Sequence, residues 1–396
     1  MNLFKKWFAP FLLLFSVFSG QIFHCYLSIK GLVSESGMLQ YVFIAIFVGA
    51  IVLLVRDKRV KGYDNSKILF PMLLILVLYF LSSAFYGTPP PRYYSSILRY
   101  GSACVGSAII GMYIAKHPCF NEIDTLLPYF VLPFGFIIGT VGLQAARMGE
   151  ILKDDSGLNY HTVSYYMSEM YAYSTYYVFF SSVQTTLSAK LLKWLMIGMM
   201  FFCVTVCLLS GGRGAFVFII AVTFLLIYML CKTGRMTILQ VSSLIFVGLV
   251  VFSIFAVKFD IFNSVGFNRV ANHLMDDDIR DSLREKALDI FLTSPVFGHG
   301  IGSIWLTLGF YSHNMFVDLL VEGGVILLFI VCRVLFIMGK RLLFLARTDY
   351  SYVFFILVMS KSVVSTMFSG YWIGTYQLWM IFGFIMIRPK MSLVNK

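Results

Sequence analysis

Two stretches constrain this chain more than any other feature. Residues 191–209, LLKWLMIGMMFFCVTVCLL, and 215–231, AFVFIIAVTFLLIYMLC, are apolar on every face of a helical projection, and together they carry one charge. A run of about 20 apolar residues, wound as an α-helix, matches the roughly 30 Å hydrocarbon core of a bilayer. Lipid offers backbone groups no partner, so such runs can only be membrane helices or strands of a closed barrel. Barrel strands alternate polar and apolar residues over roughly 10 positions, and these runs do not alternate. The fold class is therefore an all-α polytopic membrane protein. Composition agrees: of 396 residues, 59% are hydrophobic and 13% charged, with a mean hydropathy of +0.84. A soluble domain usually carries about 25% charged residues.

About twelve spans are expected by this criterion, at 8–28, 39–55, 68–86, 96–115, 125–145, 161–181, 191–209, 215–231, 236–257, 315–338, 350–368 and 375–387. The run at 161–181 is Tyr-rich rather than Leu-rich. The start, MNLFKKWFAPFLLLFSVFSG, has the charge and core of a signal peptide but continues into a full span without a clear cleavage site, so it reads as a retained first helix. Three units follow: 1–257 with spans one to nine, 258–314 as a larger outer loop, and 315–396 with the last three spans. The loop holds an amphipathic helical pattern, DDDIRDSLREKALDIFLTSP, and then a glycine-punctuated turn, SPVFGHGIGS.

Short-loop Lys and Arg set the orientation. Lys5 and Lys6, the basic stretch RDKRVKGYDNSK at 56–67, Lys116, Lys190, Lys193, Lys232, Arg235, Lys340, Arg341, Arg347, Arg388, Lys390 and Lys396 all fall on one side. That side is expected to be cytoplasmic and to hold both termini. The net charge of +12 is then mostly a topology signal, with anionic lipid contact added. The basic residues form no single patch, which disfavours nucleic acid as a partner. The seven cysteines follow no metal or redox spacing and read as packed thiols, Cys203 and Cys207 included.

Polar groups at a membrane span need a physical reason, and arginines are disfavoured on the outer side. Arg213, in SGGRGAF, lies there between glycines that permit a tight turn and close approach by a ligand; the alternative is an interfacial arginine that snorkels. Arg280 and Arg284 are four apart, on one face of the loop helix. Two planar forks suit a diphosphate; the alternative is pairing with Asp276, Asp277, Asp278 and Asp281. Arg269 is a weaker candidate, and Arg92 and Arg147 weaker still.

His313 and Asn314 open the tenth span in SHNMFVDLLVEGG. A helix start carries partial positive charge, which holds a histidine neutral and usable as a general base. His299 and His161 read as interfacial packing residues. Glu322 is nine residues from His313, about 180° of rotation and roughly 13 Å of rise in a continuous helix, so the two do not form a pair. Glu322 reads as a structural carboxylate partnered by a group such as Lys361 or Arg333, with Gly323 and Gly324 letting another span pack close. Glu169 and Arg99 are further polar groups inside the membrane. Arg213, Arg280, Arg284 and His313 share the outer side, which points to a lipid-linked anionic substrate. The tyrosines of 160–177 suit either sugar stacking or an interfacial belt.

Three segments, SGGRG, an arginine fifteen residues before Pro295 of SPVFGHGIG (Arg280), and HNMFVDLLVEGG, come in the order that resembles the O-antigen polymerase and O-antigen ligase superfamily (Wzy and WaaL type). The resemblance covers 210–324 well and the rest by hydropathy alone. It implies a GT-C-like helical bundle and a metal-independent glycosyltransferase of surface polysaccharide (lipopolysaccharide) biosynthesis in the bacterial inner membrane, using no cofactor. Its donor would be an oligosaccharide on undecaprenyl diphosphate, and a chain-length regulator protein would be a possible partner. Carried over by position, Arg213 and Arg280 would neutralise the departing diphosphate with help from Arg284, and His313 would deprotonate the acceptor hydroxyl. Asn314 and Arg269 would contact substrate. Gly212 stands where the family often has Ser. Leu327 stands where ligases often carry Gly, Thr or Tyr, which favours a polymerase. A ligase moving glycan to lipid A–core is the runner-up, and a non-catalytic transporter of lipid-linked oligosaccharide is the rival of another class.

Overall fold

The computed structural model describes residues 2–30, 49, 91–116, 122–147, 159–182, 187–258, 260–272, 278–368, 370–372 and 375–392. The expected spans at 39–55 and 68–86 lie outside the described residues, as do Asp276 and Asp277 and the side chains of Asp278, Arg92, Arg99, Arg147 and Arg269. Among the described residues the chain is all helical. The helices are α1 (Asn2–Lys30), α2 (Pro91–Lys116), α3 (Ile123–Arg147), α4 (Tyr160–Phe180), α5 (Leu187–Ser210), α6 (Arg213–Lys232) and α7 (Ile238–Lys258), then a 3-10 turn (Ile261–Asn263), α8 (Val265–Asn272), α9 (Asp278–Thr293), α10 (Ser303–Leu308), α11 (Met315–Leu345), α12 (Ser351–Phe368) and α13 (Tyr376–Ser392). Five helices among the described residues are long and apolar enough to cross a membrane: α3, α5, α6, α11 and α12. Shorter apolar helices occur at Trp7–Ile22, Cys104–Lys116, Phe246–Lys258 and Tyr376–Ile387.

The Tyr-rich helix α4 is the axis of the bundle. It packs against α3, α5, α6 and α12, so most of its surface meets protein rather than lipid and needs no leucine-rich composition. The Tyr173 ring lies tilted against those of Phe18 and Phe354, with centroids 5.4 Å and 5.1 Å away, and Tyr173, Tyr176 and Tyr177 are buried. These three rings form core rather than a sugar platform or an interfacial belt, while Tyr160, Tyr166 and Tyr171 are half-buried.

A buried polar network ties four helices together. Glu169 of α4 pairs with Lys361 of α12 and accepts from the Gln21 amide of α1. Lys361 also donates to Gln377 of α13 (3.3 Å), whose amide nitrogen donates to the Val17 carbonyl (2.9 Å). Lys361 is thus the partner of Glu169 and not of Glu322. Elsewhere α2 and α13 meet backbone to backbone: a Cβ on Gly111 would strike the Met380 carbonyl, and one on Gly383 the Ala108 carbonyl. Small residues permit such approach between membrane helices.

The segment between α7 and α11 contains α8, which packs on α5, and α9, which packs on α11. Its glycine-punctuated turn has a definite task. Helix α11 is interrupted at Gly324, whose φ of 63° and ψ of −163° are non-helical. The turn 295–300 supplies what the break removes. His299 N–H donates to the Val321 carbonyl (2.8 Å), Gly300 N–H to the Glu322 carbonyl (2.8 Å), and the Pro295 carbonyl accepts from Val325 N–H (3.0 Å). Irregular backbone about 13 Å into such a helix is tolerated only where protein satisfies it. Gly324 therefore admits a loop, where the sequence suggested another span, while a Cβ on Gly323 would meet Leu327 of the same helix. A Cβ on Gly324 would strike the Val296 and Pro295 carbonyls, and one on Gly298 would meet the backbone of 322–324.

Candidate functional site

The starts of α4, α6 and α11, the end of α12 and the start of α9 converge at one end of the bundle. Helix α6 begins directly after Gly211, whose φ of 76° favours glycine. Arg213 is its first residue, half-buried, with Gly212 as N-cap. The flanking glycines make room for protein side chains at the start of α6. A Cβ on Gly212 would meet the Ser164 side chain, and one on Gly214 would meet the Tyr165 hydroxyl and the Phe368 Cβ.

Arg280 of α9 reaches the same place. Its guanidinium donates to the Phe368 carbonyl (3.2 Å) and lies 2.8 Å from Nε2 of His161. An arginine cannot accept, so in this contact Arg280 donates to a neutral His161. His161, read from the sequence as a packing residue, is thus part of the arginine cluster. Arg284 does not point with Arg280 at a common ligand here: it pairs with Asp281 at 2.9 Å. His299 keeps a structural role, its Nε2 lying 2.9 Å from both the Ile290 carbonyl and the Thr293 hydroxyl.

His313 precedes the helix rather than sitting in its first turn. Helix α11 starts at Met315, and Asn314 caps it, its side-chain oxygen accepting from Phe316 N–H (3.0 Å) and Val317 N–H (3.4 Å). That oxygen is committed to the helix start. His313 has a φ of 59°, uncommon for a residue with a Cβ. Asp318 helps hold this turn. Its carboxylate accepts from both the Ser312 N–H (2.9 Å) and the Ser312 hydroxyl (2.6 Å), and Ser312 and Asp318 are fully buried. The sequence offered a signal for Asp318: a carboxylate in the first turn of a helix opened by Ser-His-Asn.

The imidazole of His313 packs on Tyr311, with ring centroids 4.5 Å apart, and on Phe310 at 5.2 Å. Tyr311 in turn lies 5.4 Å from Trp305 and 6.2 Å from Tyr371. Tyr371 donates to Glu322 (2.5 Å), as does the Trp372 indole (3.0 Å), and Gly302 adds a backbone N–H. Glu322 is therefore satisfied by Tyr371 and Trp372, not by Lys361 or Arg333, and it sits just before the break in α11. It fixes the aromatic cluster of Trp305, Tyr311 and Tyr371 to the helix. Replacing Glu322 with alanine strands three buried donors and is expected to cost about 2–5 kcal/mol of stability, read as a lowered melting temperature in detergent. Glutamine, which keeps one acceptor, should fall between alanine and wild type.

Tyr165 belongs to a small apolar cluster with Cys207, Ala215, Ile219 and Phe368, and its hydroxyl faces Gly214 at the start of α6. The arginine side (Arg213, Arg280, His161) and the histidine side (Tyr311, His313) both border the end of α12, where the Phe368 carbonyl accepts from Arg280 (3.2 Å) and the Thr366 hydroxyl lies 3.4 Å from the Met315 sulfur at the start of α11.

Residues 198–332 match the family model described as O-antigen ligase, and this supports the resemblance to the O-antigen ligase and polymerase superfamily over that segment. The match takes in Arg213, Arg280, His313, Glu322 and the break at Gly324; His161, Tyr165, Phe368 and Tyr371 lie outside it. No curated protein and no solved structure matches the chain.

Proposed function

We propose that this integral membrane protein is a surface-polysaccharide polymerase. It joins repeat units carried on undecaprenyl diphosphate at the periplasmic face of a bacterial inner membrane, with both termini in the cytoplasm. The observation that carries the reading is the gathering, at the end of α12, of Arg280, the start of α6 that holds Arg213 and the start of α11 that follows His313. Within the reaction, an acceptor sugar hydroxyl forms a bond to the anomeric carbon of the donor glycan. The bond from that carbon to the diphosphate oxygen breaks, and its electron pair leaves on the diphosphate. His313 takes the hydroxyl proton and passes it to solvent. Charge grows on the leaving group, so Arg213 and Arg280 favour the transition state over the ground state.

The ligase reading shares this chemistry and draws on the description of the matched family. Leu327 favours the polymerase. A transporter reading is weaker, because transporters tend to place their charged groups near the bilayer midplane, whereas Arg213, Arg280 and His313 gather at one end of the bundle. Deletion followed by glycan analysis separates the three. Loss of long chains with a single unit still attached to its acceptor identifies a polymerase. Loss of all attached glycan with polymer retained on the carrier identifies a ligase. Accumulation of unpolymerised units on the cytoplasmic side identifies a transporter.

A further inference from the structure

The hydroxyl of Tyr165 is one of several buried polar groups without a hydrogen-bond partner, among them Tyr173 of the same helix, and it is set apart by its place against the start of α6. The side chain is 9% exposed, and its oxygen is buried with no hydrogen-bond partner. Leaving such a group unpaired destabilises the fold that carries it, and native structures rarely keep one without a use. Packing does not require it: the ring sits among Cys207, Ala215, Ile219 and Phe368, where phenylalanine would fill the same space.

The surroundings of the hydroxyl are those of an anion site. It abuts Gly214, the second residue of α6. That helix is 20 residues long and starts on Gly212 without a side-chain cap. The first N–H groups of a helix lack intrahelical partners and carry partial positive charge, which suits a phosphate oxygen. Arg213 lies between Gly212 and Gly214, and Arg280 is within electrostatic reach of the phenol. The groups placed here are donors and a cation: a phenol, a helix start whose first residue is Arg213, and the Arg280 guanidinium.

We infer that the Tyr165 hydroxyl and the start of α6 form one subsite for a phosphoryl oxygen of the lipid-linked diphosphate, with Tyr165 donating to that oxygen beside Arg213 and Arg280. The subsite deepens the proposed function and rests on it. It gives α4 a direct part in substrate binding, although α4 lies outside the segment that matches the family. Tyr165 reaches the ligand when the Gly214–Phe368 contact opens by the small shift needed to expose one oxygen. The bound phosphate then supplies the missing hydrogen-bond partner.

Substituting Tyr165→Phe removes one atom and tests the assignment in the full-length protein. Wild type, Tyr165→Phe and Arg280→Ala would be placed in nanodiscs of phosphatidylethanolamine and phosphatidylglycerol and titrated with undecaprenyl diphosphate. Melting temperatures would be measured on the same ligand-free samples. The expected result pairs opposite signs: Tyr165→Phe melts at or above the wild-type temperature yet binds undecaprenyl diphosphate about tenfold more weakly, the scale of one charge-assisted hydrogen bond. Wild-type affinity in Tyr165→Phe, with Arg280→Ala weakened, would overturn the subsite and leave the proposed function standing. A lowered melting temperature in Tyr165→Phe would also overturn it, by showing that the hydroxyl has a structural partner. No binding of undecaprenyl diphosphate by wild type would remove the proposed function and the subsite together.

Discussion

Replacing Arg280 with alanine is expected to lower polymer formation in membranes by about 100- to 1000-fold, the scale seen when one preorganised transition-state donor is lost. The guanidinium is already aimed before substrate arrives, since the Phe368 carbonyl and His161 hold two of its nitrogens. Preorganisation of this kind avoids reorganisation during the reaction and gives the charge its catalytic value. Arg280→Lys should recover little, because a point charge cannot span a carbonyl, an imidazole and a phosphate at once. His313→Ala is expected to lose activity on a similar scale while leaving the protein folded, since its turn is held by Ser312 and Asp318. Full polymer length and amount in both Arg280→Ala and Arg213→Ala would sink the diphosphate clamp. Full activity of His313→Ala across pH would sink its role as base.

The second large effect is on folding. Gly324→Ala places a Cβ where the backbone has a φ of 63° and a ψ of −163°, and that Cβ also strikes the Val296 and Pro295 carbonyls. Such dihedrals are essentially limited to glycine and cost roughly 1–3 kcal/mol elsewhere. The collision adds the loss of the turn's main-chain hydrogen bonds to α11, each buried group left unpaired costing about 1–3 kcal/mol. The expected outcome is failure to accumulate in the membrane, or a melting temperature lowered by many degrees. Gly298→Ala acts on the other half of the same contact, at a φ of 66°, and should behave alike. Gly198 of α5 has open space where its Cβ would go. Gly198→Ala is therefore expected to gain a few tenths to about 1 kcal/mol from helix propensity alone. Equal stabilities for all three variants would refute the latch.

The end of the bundle that carries the site was legible because hydropathy and charge are local properties. Apolar runs mark helices, and counting them through the chain brings Arg213, Arg280 and His313 to one end. What lay hidden depends on contacts between distant positions. His161 and Arg280 are 119 residues apart, and a lone histidine at a helix start usually packs. Its place was still inferable, since α4 begins at the same end as the other candidates. Tyr165 was masked by its neighbours: one tyrosine with an unpaired hydroxyl looks like any other in a run that otherwise forms core. The break in α11 was illegible for a different reason. A glycine pair in an apolar helix is compatible with close helix packing, and only dihedral angles reveal a turn inserted there. The partners of Glu322 belong to the same class, because Tyr371 and Trp372 are one aromatic pair in a chain that is 17% aromatic.

The turn that closes the break in α11 also bears on how the protein is made. Residues 295–300 leave the ribosome before 321–325, so the partner for each broken main-chain group is synthesised ahead of the group it will meet. Once α11 is in the bilayer, lipid offers the carbonyls of Val321 and Glu322 and the N–H of Val325 no partner, and the turn supplies one for each. A turn already folded when α11 inserts shortens the time those groups spend unsatisfied. In this sense the earlier segment serves the later helix, and that service precedes any binding event.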